Sequence, residues 1–431
     1  MLLNFSVSNF GSFNEKATFS LFPGKISKQH PNHVLKNKSF SSLKGAAIYG
    51  ANASGKSNFV KAFQALVSCV LSGNTSFILA NQFKLAHTNS YTEFEIDFQI
   101  DEAAYRYELV TNGIEIPLEQ LSILQKNGNI KPLFIRKLSE IELGSSLEKS
   151  PSWYKNRTFQ ANTTFLFKLR QDGIIENSTK ISGAKYIVAA INFFINLSIL
   201  TPNTTVNPIV FGEFLKQEDF RTFLKNLLKI ADLGISDIQW SPIPEEVSEK
   251  LIVQLLATTG ITLSSNSSTI FLRDGEGNFY SIDSSNGKRQ GSVLKMIHNG
   301  VEFDTKLESD GTKRLIDLAL LFFLLRNPNT CLVIDELDCR LHPFLSKFLI
   351  QEHMEDDKQK GQLIVTLHDL NLMSHEIWRT DEIWFTEKRQ DGSTDLYSLY
   401  QFSPRFDKNL QKGYVQGKYG AIPMIGALDN D

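Results

Sequence analysis

Gly50-Ala-Asn-Ala-Ser-Gly55-Lys56-Ser57 satisfies G-x-x-x-x-G-K-[ST], and no other stretch of the chain constrains its fold as tightly. The apolar Ala47-Ile48-Tyr49 leads in, and Asn58-Phe-Val-Lys-Ala-Phe63 continues at helical spacing. The motif therefore predicts a strand, a glycine turn and a helix in succession. Gly50 and Gly55 let the backbone curl so that successive N–H groups face a phosphate. The helix N-terminus adds partial positive charge at the same place. Lys56 is expected to reach the β- and γ-phosphates, and the Ser57 hydroxyl to ligate Mg²⁺.

The bulk properties narrow the setting. A chain of 431 residues has room for two or three domains. Its hydrophobic content of 42% and charged content of 21% are those of an ordinary globular protein. A formal net charge of −2 supplies no general field for nucleic acid or anionic lipid, although a local basic patch is compatible with it. Cys69, Cys331 and Cys339 are too few and too scattered for a disulfide framework. No C-x-x-C or Cys/His spacing suggests zinc. A reduced, cytoplasmic setting is the expectation. Met1-Leu-Leu-Asn-Phe-Ser has no basic segment followed by a long apolar one, so no leader is expected. The longest apolar run, Tyr186 to Leu200, carries Asn192 and Asn196 and is short for a membrane span of ~20 residues. It reads as a buried or dimer-facing helix.

Leu3 to Phe10 alternates as a half-buried strand does, and Ala17 to Leu21 follows as a second. Lys25 to Leu43 is polar and reads as loop. Beyond the glycine motif, Thr92 to Ile100 and Tyr105 to Val110 alternate on either side of Asp-Glu-Ala-Ala, which predicts an antiparallel hairpin. Further β-like pieces run to about Leu143. From residue 146 to 265 the alternation fades. Phe214, Leu215, Phe220, Phe223, Leu224, Leu227, Leu228 and Ile230 form a helical stripe there. Thr269 to Leu272 and Phe279 to Ile282 then flank Arg-Asp-Gly-Glu-Gly-Asn as another hairpin. The expected division is 1–145, a mainly helical insertion at 146–265 that offers a partner or dimer surface, and 266–431.

The second half carries more chemistry. Cys331-Leu-Val-Ile334-Asp335-Glu336 is a short apolar strand ending in two acids. Beside a phosphate loop, Asp335 is placed to complete an Mg²⁺ site, and Glu336 to face the γ-phosphate and orient the attacking water. Ser309-Asp310-Gly311-Thr312 precedes the apolar helix Leu315 to Leu325. It reads either as a second anion nest, used by a different chain, or as a plain helix cap. Gln362 to Thr366 is a strand that delivers His368, a group able to hydrogen-bond a γ-phosphate and sense its loss.

The order of glycine motif, Ser-x-Gly, Asp-Glu, Leu-Asp and His resembles the ABC-type ATPase head shared by SMC, RecF and OLD-family proteins. Phe5-Ser-Val-Ser-Asn-Phe-Gly-Ser-Phe13 is similar to the first strand of those heads. The resemblance extends to the stand-alone "AAA family ATPase" group of anti-phage defence loci, including those of PARIS, Septu and AbiLi type. It rests on Glu308 to Leu315, Asp381 to Phe385 and Lys412 to Pro423. It implies an α/β fold in which a mixed sheet and an antiparallel β lobe form the head. It implies ATP and Mg²⁺ as cofactors, with Gly50, Asn52, Ser54, Gly55, Lys56, Ser57 and Asn58 as the phosphate loop. Ser57 and Asp335 become the metal ligands, and Lys56, Glu336 and His368 the catalytic set. Ser309 and Gly311 match the signature that covers a partner's ATP, and Asp338 matches the D-loop. Asp310 stands where that signature commonly has Gly, and Gln82 and Gln120 are both open as the Q-loop residue.

Such heads act as ATP-driven clamps, so the implied partners begin with a second copy of the chain. The sequence has no long heptad run, and no fused TOPRIM nuclease is expected. The implied reading is a sensor-scaffold that holds a separately encoded effector, a toxin or a nuclease of TOPRIM or HNH type, until a phage trigger appears. The alternative is a DNA-binding ATPase of RecF/SMC kind. Pro151 to Gln171 favours it, with Lys155, Arg157, Lys168 and Arg170 among Trp153, Tyr154, Phe159, Phe165 and Phe167. No membrane partner is expected.

Overall fold

A computed structural model describes residues 1–26, 29–85, 91–155, 160–244, 252, 268–285, 288–405 and 408–423. The chain is α/β and divides into two compact units. One comprises 1–202, 325–338 and 347–431; the other comprises 203–324 and 339–346.

The first unit is built around the glycine motif. The strand Gly45–Tyr49 is buried throughout and lies third from one edge of a six-stranded sheet. In spatial order the strands are Leu197–Leu200, Cys331–Ile334, Gln362–Thr366, Gly45–Tyr49, Ile383–Lys388 and Thr394–Ser398. All neighbours run parallel except the last pair. Continuous apolar runs such as Cys331 to Ile334 suit such a sheet, because both of its faces are covered. A seven-stranded antiparallel sheet forms the β lobe, in the order Glu140–Leu143, Ile130–Lys137, Leu118–Leu124, Ala103–Thr111, Thr92–Ile100, Leu2–Ser8 and Ala17–Ser20. The predicted hairpin is present, with Phe94 opposite Leu109 and Ile96 opposite Tyr107. The helix Lys56–Ser72 packs its aromatic face on this lobe. Phe63 stacks on Phe5 at 3.8 Å, and Phe59 meets Phe5, Phe13 and Phe19 edge-on.

Three local expectations change. Leu2–Ser8 is not half-buried: Ser6 and Ser8 are buried along with the apolar positions, so side chains on both faces of the strand are covered. The Lys25 to Leu43 loop holds the short pair Val34–Leu35 and Ser42–Leu43. The apolar run from Tyr186 is a helix, Ala184–Ile195, only in its first part. After Asn196 it becomes the edge strand Leu197–Leu200, which pairs in parallel with Cys331–Ile334. An apolar run of this length is ambiguous by periodicity, and an available sheet edge decides it. Its aromatic residues are spent on the core: Phe193 stacks on Phe98 at 4.1 Å, and Phe194 meets Tyr107 edge-on.

The 146–265 segment contributes to both units. Pro151–Lys155, Phe165–Gln171, Ala184–Ile195 and Leu197–Leu200 belong to the first. Within Pro151 to Gln171, Arg157 and Phe159 lie outside the described residues. Tyr154 and Phe165 are buried, Lys168 pairs with Asp172 at 3.0 Å, and Arg170 donates to the Leu71 carbonyl at 2.7 Å. Tyr154 and Phe165 thus fill core, while Trp153 and Phe167 are half-buried.

The second unit has its own sheet, in the order Ile235–Pro242, Lys288–His298, Phe279–Ser285 and Ser268–Arg273, with Val301–Asp304 added on Lys288–His298. The predicted hairpin pairs Ile270 with Ile282. The helical stripe is two helices, Pro208–Leu215 and Glu218–Ile230, broken at Lys216 and Gln217. Phe220 packs on Phe323 of the helix Asp310–Leu324 at 5.2 Å.

Candidate functional site

The glycine turn is held from behind by two hydroxyls that sequence reading did not single out. Ser54 Oγ and Thr386 Oγ1 lie 2.7 Å apart, and Thr394 Oγ1 donates to the Ser54 carbonyl at 2.8 Å. Both threonines come from the antiparallel edge hairpin of the central sheet. Their closeness explains the glycines. Gly50 has φ 156°, and a Cβ there would stand 2.4 Å from the Thr386 carbonyl oxygen. Gly55 has φ 116°, and its Cβ would stand 2.4 Å from Thr394 Oγ1. No L side chain fits either position.

Gly55 caps the helix Lys56–Ser72 without a side-chain cap hydrogen bond, and the first turn carries no acidic residue. The orphan N–H groups of that turn are thus left to a ligand. Asn58 Nδ2 donates to Ser12 Oγ at 3.0 Å, which ties the first turn to the loop after the first strand. The C-terminal segment adds a brace that was also missed. The Ala51 N–H donates to the Ala421 carbonyl at 3.1 Å, and the Tyr414 hydroxyl donates to the same oxygen at 2.7 Å.

Lys56 is 5% exposed. Its Nζ donates to the carbonyls of Gly50 at 2.8 Å and Ala51 at 3.2 Å. Burial lowers its pKa by stripping water from the ammonium, while the charges of Asp335, Glu336 and Asp338 pull the other way. Three carboxylates against one lysine leave the region short of positive charge. A triphosphate bound there needs a divalent cation with it.

Thr366 organises the acids. Its hydroxyl donates to Asp335 Oδ1 at 2.7 Å and accepts the Glu336 N–H at 2.7 Å. Asp335 is 5% exposed, and its N–H donates to the Leu200 carbonyl at 2.8 Å. Glu336 has φ 50°, the left-handed region, which turns the chain sharply out of the strand. Such a conformation costs a non-glycine residue about 1–2 kcal/mol and is typical of functional turns. His368 Nε2 stands 3.4 Å from Glu336 Oε1, with both side chains partly exposed.

Asn52, Ala53, Ser54, Gly55, Lys56, Ser57, Asn58, Glu336 and His368 line one cavity of about 460 Å³. All of it lies within the first unit. Asp335, expected to hold the metal, is not in the lining, although its charge acts on Lys56. Asp338 is not in the lining either: Oδ2 accepts the N–H groups of His368 at 2.8 Å and Asp369 at 2.7 Å, so the side chain holds the histidine loop. The donor chemistry offered by Ser57 and Asp335 is all oxygen, which suits Mg²⁺.

Ser309 and Gly311 lie in the second unit. Ser309 Oγ accepts the Thr312 N–H at 3.1 Å, as an N-cap of the helix Asp310–Leu324. A Cβ at Gly311 would stand 2.7 Å from the Arg340 carbonyl oxygen, so the glycine permits a close approach of the turn after Asp338. Neither candidate Q-loop residue lines the cavity. Gln120 is in the β lobe and donates to Ser122 Oγ at 2.9 Å. Gln82 follows Asn81, whose carbonyl accepts the Gly11 N–H at 2.6 Å, one residue before Ser12.

A family model described as "AAA domain, putative AbiEii toxin, Type IV TA system" matches residues 46–374, from the strand before the glycine turn to just beyond His368. No curated protein matches the chain. Among solved structures it is similar to the SMC head domain from Thermotoga maritima, with 13% identity and a TM-score of 0.37, covering 92% of this chain and 98% of that one. It is also similar to an Smc head bound to the C-winged helix domain of ScpA, with 14% identity and a TM-score of 0.40, covering 92% and 97%. A third is an Smc head with an extended coiled coil bound to the C-terminal domain of ScpA derived from Pyrococcus furiosus, at 14% identity and a TM-score of 0.35, covering 92% and 96%. Identity this low says nothing of function. No helix among the described residues is long and apolar enough to cross a membrane.

Proposed function

The chain belongs to this AAA-domain family, and on that premise we propose that it is a Mg²⁺-dependent ATPase of ABC type that works as a pair of heads. The observation that carries the reading is one cavity that unites the phosphate loop with Glu336 and His368. Ser57 and Asp335 would hold Mg²⁺, which supplies positive charge to the phosphates. Lys56 binds the β- and γ-phosphates. Glu336 takes a proton from the attacking water, and His368, close to its carboxylate, senses the γ-phosphate. The hydroxyl of Thr366 keeps both acids in place. Ser309 and Gly311 are assigned to a second copy's nucleotide, and Asp338 shapes the histidine loop between the two.

The output belongs to another protein. The family description attaches the word toxin to its own AAA domain, within a type IV toxin–antitoxin system; what supports a separate effector is the resemblance to the ATPases of anti-phage loci. The function best supported is a sensor-scaffold that holds a separately encoded toxic effector and releases it on a phage trigger. The exposed, described parts of 146–265, not those that fill the core, are kept as its partner or dimer surface. The test has two stages. Lys56→Ala should abolish ATP binding in calorimetry, and unchanged affinity overturns the phosphate-loop assignment. A pull-down of the wild-type chain from its native locus should recover a protein effector. Recovery of DNA alone overturns the scaffold and favours a RecF-like role.

A further inference from the structure

His30 and His33 are two residues of the N-terminal loop that the nucleotide site does not use. With Glu355, at the end of the helix Pro343–Glu355, they place one ligand atom each within 4.8 Å of one another. From this cluster we infer that the chain holds a divalent transition metal of the zinc class, bound by His30, His33 and Glu355, apart from the Mg²⁺ of the phosphate loop.

The inner residue is His33, which is 0% exposed. Its Nδ1 faces both oxygens of the buried Glu382 carboxyl, at 3.1 and 3.0 Å. Its Nε2 is buried and has no hydrogen-bond partner among the described residues. A buried polar nitrogen without a partner is costly and calls for an explanation. A metal supplies one. A carboxylate on the far nitrogen of a histidine is the arrangement that orients a metal-binding imidazole. His30 repeats the pattern. Its Nε2 lies 2.8 Å from the His375 carbonyl, leaving Nδ1, which stands 3.7 Å from Glu355 Oε1. Zinc bonds of about 2.0–2.2 Å place tetrahedral donors roughly 3.4 Å apart, so this pair is near its bound spacing.

The backbone around the cluster is fixed as well. The Lys44 N–H donates to the His33 carbonyl at 2.7 Å, and Lys44 Nζ donates to the carbonyls of Met354 and Asp356, which flank Glu355. The two imidazoles stack at 4.5 Å, so loading asks His30, the more exposed ring, to tilt about its bond to the His375 carbonyl. Space exists for this. His30 and His375 also line a cavity of about 650 Å³, and Glu355 is exposed, so the ion has a way in and water can fill the fourth position. The ion would staple the N-terminal loop to the end of the helix that follows the Asp335–Asp338 turn.

The full chain, prepared without a metal-affinity tag, is stripped with chelator, given Zn²⁺ without nucleotide, and desalted. Elemental analysis should find close to one zinc per chain, and Co²⁺ in its place should give the intense visible absorption of a four-coordinate site. His30→Gln and Glu355→Gln change side chains that are not fully buried and so test the site without emptying the core. Each should weaken Zn²⁺ binding at least about tenfold. Ser57→Ala should retain the ion as the wild type does, which separates this site from the phosphate loop. No retained zinc in the wild type, retention unchanged in both ligand variants, or loss only in Ser57→Ala overturns the inference.

Discussion

At the scale of single residues, the site turns on one hydroxyl. Thr366 Oγ1 bridges Asp335 Oδ1 and the Glu336 N–H at 2.7 Å each, and it holds Glu336 in a left-handed turn. Glu336→Gln and Thr366→Val should therefore fail in different ways. Glu336→Gln keeps the turn and the phosphate contacts but has no carboxylate to take a proton. ATP should still bind, and hydrolysis should fall by about 10²–10⁴-fold. Thr366→Val removes both hydrogen bonds while keeping the shape, and each is worth about 1 kcal/mol. It should weaken Mg²⁺-dependent ATP binding and turnover together. Calorimetry and phosphate release on the two variants decide the matter, and wild-type turnover in Glu336→Gln would remove it from the proton-transfer role. That Lys56, Ser57, Glu336 and His368 come together was readable from the sequence, the first two by motif spacing and the others by their places after apolar strands. Thr366, Thr386 and Thr394 were not. A buried threonine in a strand has no spacing of its own, and its role appears only when a distant strand is brought alongside.

Elements explain most of what the sequence left ambiguous. The glycine-motif strand, the β-lobe hairpin and the Cys331 and Gln362 strands were legible, because each has a strict local pattern and defined ends. The run from Tyr186 to Leu200 was not, because a local apolar pattern does not state whether a sheet edge lies free for Leu197–Leu200 to join. The His30, His33 and Glu355 cluster was invisible for a related reason: its third member lies more than three hundred residues away in sequence. The C-terminal helix Leu410–Val415 makes the same point. Tyr414 stacks on Phe385 at 5.5 Å and donates to the Ala421 carbonyl, which in turn accepts the Ala51 N–H of the phosphate loop. Tyr414→Phe keeps the stack and drops one hydrogen bond of about 1 kcal/mol. ATP affinity should fall up to about fivefold, with the thermal midpoint nearly unchanged. Equal affinity in a binding titration would reduce this segment to a cover.

For the molecule as a whole, two behaviours follow. The first is alkaline lability. Burial pushes the phenols of Tyr105 and Tyr154 from their ordinary value of 10 up to about 12. A folded pKa above the unfolded one means that this stability is fully present below pH 10 and is lost as pH rises through 12. Urea midpoints should decline steeply from pH 10 to 12, and Tyr154→Phe should flatten part of that slope; a slope equal to the wild type's would show that Tyr154 does not carry it. The second behaviour concerns assembly. The residues lining the nucleotide cavity are in the first unit, whereas Ser309 and Gly311 are in the second. If each nucleotide is enclosed by Lys56 of one copy and Ser309 of another, then Lys56→Ala and Ser309→Arg damage opposite sides of a composite site. Each variant alone should be inactive, the first for want of phosphate binding and the second because a bulky cation blocks engagement. Mixed, they can form a heterodimer with one site wholly intact, built from Lys56 of the Ser309→Arg chain and Ser309 of the Lys56→Ala chain. ATP hydrolysis should reappear on mixing, rise with the concentration of either chain, and peak near an equal ratio. A mixture as inactive as its components would mean that Ser309 serves only as the cap of its own helix and that the heads do not share their nucleotides.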